Sequence, residues 1–311
     1  MWHGVIVLDK PRGRSSHDMV AFCRRVLGQK RIGHTGTLDP LATGVLPLCL
    51  GEATRLAEYL SGQDKVYEAE ILPGYKSKTY DSEGELQQVT PSFSCSEAEL
   101  RKVLQQFCGE ISQKPPPYSA ISVDGRRLYQ YARSGEQVIV PERKVTIYSL
   151  HLSEEITSVQ AGEPFTLQVC CSKGTYIRSL AHDLGQVLGC GAVLSGLRRL
   201  RSGNISIENA CTREEIIACQ EGNCIETLLW PLRPDDLGLP WVRLSEVQQE
   251  EMRFGRSFAW EQPVISAKSD MPTKILLCTS AELLAIGDYQ PDKGIIHPRK
   301  VFNSPVPLDL S

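Results

Sequence analysis

The residues best suited to chemistry lie in a short loop from Gly33 to Pro40, and its Asp39 carboxylate is the most reactive group there. Pro40 disfavours helical torsion angles at Asp39, and two nearby glycines let the backbone approach a ligand closely. A fixed carboxylate can serve as a nucleophile or a general base. From these residues alone, a turn-forming aspartate is the simpler interpretation, because Asp-Pro pairs and Gly-Thr loops are common in turns.

His34 in the same loop is also ambiguous, since a lone histidine beside glycines is more often a satisfied loop residue than an acid, base or ligand. The eleven cysteines contain no CxxC pair, so we expect neither a zinc site nor a disulfide framework. The sequence also lacks a Walker loop and a dinucleotide fingerprint. We therefore expect no metal and no cofactor, and reduced thiols in a cytoplasmic protein.

The elements before and after this loop must position it. The apolar run Gly4 to Leu8 predicts a strand that leads into a loop. A helix is expected next, with Ser16 as its N-cap. The apolar run Val45 to Leu50 predicts another strand, in which Pro47 would have to lie at an edge or a bulge.

Two more candidate site residues lie later in the chain, where the apolar pattern changes from strand spacing to helix spacing. Residues 66–72 and the alternating residues 165–171 predict strands, and helical spacing begins at Ile177. Tyr176 and Arg178 therefore lie where a strand gives way to a helix. A cation near the positive end of a helix is mildly unfavourable, which hints that Arg178 has a function.

Residues 231–240, rich in proline and acidic residues, are expected to form a linker that cannot continue a regular element. Residues 1–236 would then form an α+β main domain, and residues 237–311 a small, mostly β domain with a hairpin at residues 279–282.

The net charge of the 311 residues is −3, which argues against a strongly basic nucleic-acid binder. The charge is uneven: residues 1–66 have nine lysines and arginines against six acids, and residues 113–201 have eleven against seven. Two such stretches on one face would bind a polyanion. No apolar run approaches the ~18 residues of a membrane-spanning helix, so we expect no membrane partner.

The segment Gly33-His34-Thr35-Gly36-Thr37-Leu38-Asp39-Pro40-Leu41-Ala42-Thr43-Gly44-Val45-Leu46-Pro47 resembles the signature loop of the TruB family, the bacterial tRNA pseudouridine-55 synthases. The resemblance continues through Leu8 to Pro11, Lys65 to Tyr67, Pro117 to Ala120, Ser172 to Arg178 and Leu197 to Leu200. The segment Ile296 to Phe302 is similar to the PUA-like ends of some members. The implied fold is a main domain on a mixed, largely antiparallel sheet with flanking helices, followed by a PUA-like domain.

The resemblance implies conversion of one uridine to pseudouridine, in which the ribose C1′ exchanges a bond to nitrogen for one to carbon. It assigns the essential carboxylate to Asp39 and the cation that keeps it ionised to Arg178. A flipped base would stack on Tyr67.

Tyr176, Leu197 and His34 are implied as further parts of the pocket, although core packing is nearly as good an interpretation of all three. Phosphate contacts are expected from cations of the positive stretches, namely Lys10, Arg126, Arg127, Lys173, Arg198 and Arg199. Ser122 departs from the family pattern, which has a lysine there.

The expected function is therefore isomerisation of uridine 55 in the T arm of tRNA, by a monomer without a cofactor. The alternative is a tRNA-binding or tRNA-folding protein whose isomerase activity is absent or incidental.

Overall fold

Two main β-sheets, one of nine strands and one of five, organise the protein in the computed structural model. The structure describes residues 1–119, 121–123, 125–134, 136, 138–261 and 274–310, apart from the side chains of Arg127, Tyr129 and Arg133. The strands are β1 Gly4–Lys10, β2 Ile32–His34, β3 Ala42–Leu50, β4 Lys65–Pro73, β5 Tyr75–Lys76, β6 Gln87–Gln88, β7 Ser94–Ser96, β8 Gly109–Gln113, β9 Ser122–Val123, β10 Arg126–Arg127, β11 Arg143–Leu152, β12 Ser158–Gln160, β13 Phe165–Cys171, β14 Ala192–Ser202, β15 Ile205–Ser206, β16 Trp241–Arg243, β17 Phe258–Ala259, β18 Lys274–Cys278, β19 Glu282–Gln290 and β20 Ile295–Pro307. The helices are α1 Ser16–Val26, α2 Ala57–Ser61, α3 Glu97–Gln105, α4 Leu128–Ser134, α5 Ile177–Val187, α6 Arg213–Glu221, α7 Pro234–Leu237 and α8 Glu246–Arg253. Gly51–Leu56, Ile207–Asn209, Ile225–Leu228 and Pro291–Lys293 form 3₁₀ turns.

The nine-stranded sheet has the order β1-β3-β14-β4-β13-β11-β8, with β2 paired to β3 and β15 paired to β14. Its neighbours are antiparallel except β3 and β14, which run parallel. β14 lies between β3 and β4, so that Arg199 is opposite Gly44 on one side and Tyr67 on the other. This mixed, largely antiparallel sheet with flanking helices confirms the predicted α+β fold class.

The strands predicted at residues 66–72 and 165–171 are confirmed as β4 and β13, whose inward side chains alternate with more exposed ones. Helix α5 begins at Ile177, directly after Tyr176 as its N-cap residue. It packs Leu180 and Leu184 into the main core. Within the described ranges, no helix has the length and apolar character needed to cross a membrane.

The expectation that Ser16 caps α1 is wrong. Ser15 is the N-cap, since its hydroxyl accepts from the Asp18 backbone N–H while the Asp18 carboxylate accepts from the Ser15 backbone N–H. Ser16 is buried inside the first turn. From the sequence, either of two adjacent serines is a plausible N-cap. The backbone conformation decides between them, because Ser15 is extended and Ser16 is already helical.

Pro47 does not lie on an edge strand, because β3 has neighbours on both sides, but at Pro47 itself one side of β3 has no ladder partner, as the expectation of an edge or bulge requires. The Pro47 carbonyl faces away from β1 and accepts from the Thr35 N–H at 3.2 Å. On that side, β14 pairs with residues of β3 only up to Gly44, and β2 pairs with residues of β3 only from Leu48 onward. The missing N–H of Pro47 falls between these two partners, so no ladder hydrogen bond is lost.

The second sheet, in the order β16-β18-β19-β20-β17, forms the mostly β C-terminal part, and the β18–β19 hairpin is as predicted. The segment 231–240 is not an irregular linker, because Pro234 begins the short helix α7. Asp236 is buried and accepts hydrogen bonds from Trp230 Nε1 and Asn204 Nδ2, both at 3.0 Å. One hydrophobic cluster combines residues on both sides of this segment: Val5, Cys49, Ala53, Leu56, Leu60, Leu232, Leu237, Leu276, Cys278, Leu283, Ile286, Phe302, Val306 and Leu308.

Candidate active site

Asp39 and Arg178 are in direct contact, although 138 residues separate them in the sequence: Arg178 Nε lies 2.8 Å from Asp39 Oδ2. The Asp39 side chain remains 37% exposed, whereas that of Arg178 is 6% exposed. The carboxylate is therefore open to a ligand on one side, while the guanidinium is fixed within the protein.

Arg178 is held in a single orientation by four partners. Its Nη1 donates to the Thr79 carbonyl at 3.0 Å, and its Nη2 donates to the Tyr118 carbonyl at 3.0 Å. The buried Asp81 carboxylate lies 3.5 Å from Nη1. A planar guanidinium can serve these groups together with Asp39 because its donors point in several directions in one plane.

The charge state of Asp39 is set by opposing effects. Burial raises the pKa of Asp39 above its ordinary value, Arg178 lowers it, and Asp81 raises it. Lys10 also lowers it, though less. The net shift is upward, so Arg178 offsets only part of the desolvation.

The loop that carries Asp39 is anchored by side chains from three distant elements. Ser16 Oγ on α1 accepts from the Leu38 N–H at 2.8 Å and lies 3.1 Å from the Leu38 carbonyl. Lys10 Nζ on β1 lies 3.4 Å from the Pro40 carbonyl, and Arg199 Nη2 on β14 donates to the Gly36 carbonyl at 3.2 Å. An irregular loop is thus fixed through its own backbone groups.

The phosphate contacts expected from Lys10 and Arg199 are contradicted, because both side chains are fully buried. Lys10 Nζ is surrounded by the carbonyls of Pro11, Arg14 and Pro40, and burial lowers the pKa of Lys10 to about 8. Arg199 Nε donates to the Val45 carbonyl at 2.6 Å. Buried cations need such partners, and these two find them in the backbone of the loop and of β3.

Tyr67 on β4 and Tyr176 at the start of α5 both feel the charge of Asp39. Tyr67 is 8% exposed and hydrogen-bonds Arg199. Burial raises the pKa of Tyr67, and the Asp39 charge raises it further. Burial also raises the pKa of Tyr176, whose shift again includes contributions from Arg178 and Asp39. Both phenols are therefore protonated at neutral pH.

Leu197 and His34 lie on two strands of the nine-stranded sheet, and the cavity beside Leu197 is lined by Arg12, Glu68 and Glu70 rather than by Asp39, Tyr67 or Arg178. Leu197 on β14 is half-buried, lies opposite Ala42 and Ala69, and lines this cavity of about 180 Å³. His34 Nδ1 is buried and has no hydrogen-bond partner among the residues that the structure describes. Burial lowers the pKa of His34, so its ring is neutral at pH 7.

The remaining predicted cations are more exposed. Lys173 is on the surface, Arg198 is half-buried and makes a two-point contact with Asp9 at 2.7 and 3.1 Å, and Arg126 pairs with Glu136 at 2.9 Å. Ser122 is exposed on β9. The side chain of Arg127, and the whole of Ala120, lie outside the described residues.

Sequence reasoning missed Thr79, Asp81 and the anchoring role of Ser16. Asp81 lies in a segment with turn composition, and nothing in its neighbours distinguishes a buried partner of Arg178 from an exposed turn residue. Among the residues that the structure describes, no group of three or more His, Cys, Asp or Glu side chains is arranged to hold a metal ion.

The chain matches two family models in succession. The model of the TruB family pseudouridylate synthase N-terminal domain matches residues 24–177, and that of the tRNA pseudouridylate synthase B C-terminal domain matches residues 178–233. The tRNA pseudouridine synthase B of Geobacillus thermodenitrificans is 40% identical over 303 residues, covering 96% of this chain and 99% of that protein. This chain belongs to the TruB family. The same-named protein of Streptococcus pneumoniae is 40% identical over 302 residues, covering 97% and 100% of the two chains.

Solved structures agree with this membership. A structure of an H/ACA ribonucleoprotein bound to a substrate RNA containing 2′-deoxyuridine has a chain with a TM-score of 0.72 at 27% identity, covering 97% of this chain and 86% of its own. A Cbf5-Nop10-Gar1 complex gives a TM-score of 0.71 at 28% identity, with coverages of 96% and 85%. The folds of these two chains thus match this chain over nearly its whole length.

Proposed function

We propose that this protein converts uridine 55 in the T arm of tRNA to pseudouridine, as a cytoplasmic monomer that needs no cofactor. The C1′–N1 bond of the nucleotide breaks, the uracil turns, and C1′ bonds to C5; C5 loses a proton and N1 gains one, so no atom is added or oxidised. Membership of the TruB family and close relatives named tRNA pseudouridine synthase B support this activity. The observation that carries it is the partly exposed Asp39 carboxylate held by a buried arginine.

In this proposal Asp39 acts on the flipped nucleotide as nucleophile or base, and Arg178 keeps it ionised and oriented. The raised pKa of Asp39 makes the arginine necessary, because burial alone would favour the neutral acid. A catalytic carboxylate accelerates a reaction most when its orientation toward the substrate is fixed before the substrate binds.

We assign the remaining residues around Asp39 to holding the displaced base. Tyr67 would stack on it, Tyr176 and Leu197 would line its pocket, and the neutral His34 ring would fill space beside it. Lys10 acts within the protein instead, by holding the Pro40 carbonyl and by adding positive charge near Asp39. Unstacking a base costs a few kcal/mol, which these contacts must offset.

The exposed cation Lys173 and the half-buried Arg198 are our candidates for phosphate contacts along the RNA. We further propose that residues 1–236 form the catalytic domain and residues 237–311 a PUA-like domain, although the two share one hydrophobic cluster.

The deciding experiment uses an unmodified tRNA transcript and the variants Asp39→Asn and Asp39→Ala. Both are expected to lose pseudouridine formation while binding the transcript as the wild type does, and a transcript with cytidine at position 55 should yield no product with the wild type. Asp235→Asn, on the exposed side of α7, is the matched control and should retain full turnover.

Wild-type turnover in either Asp39 variant would refute the assignment. A tRNA refolding assay addresses the alternative: if the wild type forms no pseudouridine but it and both Asp39 variants accelerate refolding equally, the protein is an RNA-folding factor.

A further inference from the structure

Tyr80 has an unusual backbone conformation for a large side chain. Its φ of +63° lies in the left-handed region, where L-residues other than Gly, Asn and Asp are uncommon because Cβ approaches the following carbonyl. Such conformations persist only where the surroundings stabilise them, and they concentrate at functional sites. Tyr80 lies between Thr79 and Asp81, which both contact Arg178.

The contact that opposes this strain is an aromatic stack. The rings of Tyr80 and His182 lie 3.9 Å apart between centroids and are inclined by only 6°. Both rings are half-buried. His182 is on α5, four residues after Arg178, so the two side chains leave the same face of one helical turn.

The strained segment is held by its own hydrogen bonds, such as that from Ser77 Oγ to the Asp81 carbonyl, and by contacts with α5 and β14. The Arg178 guanidinium binds the Thr79 carbonyl and faces the Asp81 carboxylate, His182 covers the Tyr80 ring, and the Tyr80 carbonyl accepts from the Leu194 N–H of β14 at 3.1 Å. Without the stack, Tyr80 would relax toward negative φ. Such a rotation would turn the Thr79 carbonyl and Asp81 away from Arg178.

We propose that the Tyr80–His182 stack positions Arg178 for its contact with Asp39, by fixing the residue 79–81 segment against the same helical turn. His182 is then a positioning residue that never touches the substrate. This inference rests on the proposed isomerase function for its kinetic consequence, but its structural consequence can be measured without RNA.

The test compares His182→Ala with His182→Phe, which preserves an aromatic ring, and with His151→Ala, an exposed histidine on β11, as the matched control. In single-turnover assays on unmodified tRNA, His182→Ala should be about tenfold slower with unchanged RNA affinity, since the arginine loses orientation rather than charge. His182→Phe should recover most of the rate, and His151→Ala should match the wild type.

Tyr80→Gly removes the ring and the strain together, so it is a second variant that should fold readily. Because nothing then drives residue 80 toward negative φ, it should lose less rate than His182→Ala, and adding His182→Ala to it should slow it no further, since the partner ring is already absent.

Amide hydrogen exchange of residues 77–84, measured without RNA, supplies a readout independent of activity. Exchange should accelerate most in His182→Ala, less in Tyr80→Gly, and not in His182→Phe. Wild-type rates and wild-type exchange in His182→Ala would overturn the proposal, as would failure of His182→Phe to restore both. If the wild type makes no pseudouridine but exchange changes as expected, the proposed function fails while the positioning role stands.

Discussion

At the scale of single residues, the Arg178 side chain serves four partners at once: it binds one carboxylate, approaches a second and donates to two backbone carbonyls. Lysine has the same charge but only a tetrahedral ammonium on a flexible stem. The neighbours of Arg178 are fixed in place, so they cannot gather around a point charge.

Arg178→Lys should therefore reduce the single-turnover rate of pseudouridine formation by about 10- to 100-fold, which corresponds to the loss of one or two charge-assisted hydrogen bonds. RNA affinity measured by filter binding should change little. Arg24→Lys, which alters an exposed arginine bonded to the Ile32 carbonyl, is the control and should retain the wild-type rate. A fully active Arg178→Lys would mean that charge alone suffices.

How far the site follows from sequence differs from residue to residue. Composition and spacing singled out Asp39 as a candidate but favoured a turn, and only the family resemblance connected it with Arg178. Lys10 and Arg199 were predicted at the surface because lysine and arginine usually lie there. Their actual partners are backbone carbonyls, and a sequence does not reveal which carbonyls lack a partner.

At the scale of elements, the parallel contact between β3 and β14 depends on Gly44. Its φ of +99° is strained for other residues, and a Cβ there would lie 2.2 Å from the Arg199 carbonyl oxygen and 2.8 Å from the Arg199 nitrogen. Both are backbone atoms within the sheet, so they cannot move aside cheaply.

Gly44→Ala should thus destabilise the protein by at least about 3 kcal/mol, from steric overlap and an unfavourable torsion angle. Urea unfolding measures this. Gly33→Ala is the matched control, since a Cβ at Gly33 meets no atom within 4 Å, and its midpoint should stay close to that of the wild type. Equal midpoints for the two variants would contradict the role given to Gly44.

Asp183, also on α5, lies in an environment that disfavours its ionised form. Burial raises the pKa of Asp183 from 3.8 to about 6, and nearby Glu142 adds to the shift. The ionised form is thus disfavoured in the folded protein, so stability falls as the pH rises from about 4 to about 6 and then stays level.

Asp183→Asn removes this charge and should stabilise the protein by roughly 1 kcal/mol above pH 6, a value reduced for partial solvent screening. The gain should nearly vanish at about pH 3, below the pKa of the carboxyl in both states, where the wild-type carboxyl is mostly neutral. Thermal unfolding at about pH 3 and pH 8 checks both limits, and a gain of equal size at both would exclude an electrostatic cause.

The strands and helices themselves were largely predictable from the sequence, whereas the question of which strands pair with one another was not. The sequence pattern predicted β4 and β13, because the pattern that marks a strand involves only neighbouring residues. The position of β14 between β3 and β4 depends on pairing over more than 100 residues, for which a single sequence carries no signal. The same reason explains why Pro47 was assigned to an edge.

At the scale of the whole molecule, each sheet has a hydrophobic cluster of its own, and a third cluster combines residues of both parts. Leu56, in the 3₁₀ turn after β3, is fully buried in the cluster that also contains Phe302 and Leu283 of the C-terminal sheet. Lys300 pairs with Glu58 across the same junction. The two parts should therefore unfold together.

Leu56→Ala should lower the free energy of unfolding by about 2–5 kcal/mol and keep a single transition in which fluorescence and circular dichroism coincide. Val247→Ala, at a residue that is 72% exposed in the C-terminal part, should change it by less than about 0.5 kcal/mol. Two resolved transitions in the wild type would show that the parts are independent.

The insertion of β14 also sets when a newly made chain can become active. Until residues 192–202 leave the ribosome, β3 and β4 have no common neighbour, and the loop bearing Asp39 lacks the Arg199 side chain that grips its Gly36 carbonyl. A nascent chain that ends before this strand already contains both members of the Asp39–Arg178 pair, but it has no completed sheet to hold them together. Competence therefore cannot arise before β14 has been made and joins β3 to β4.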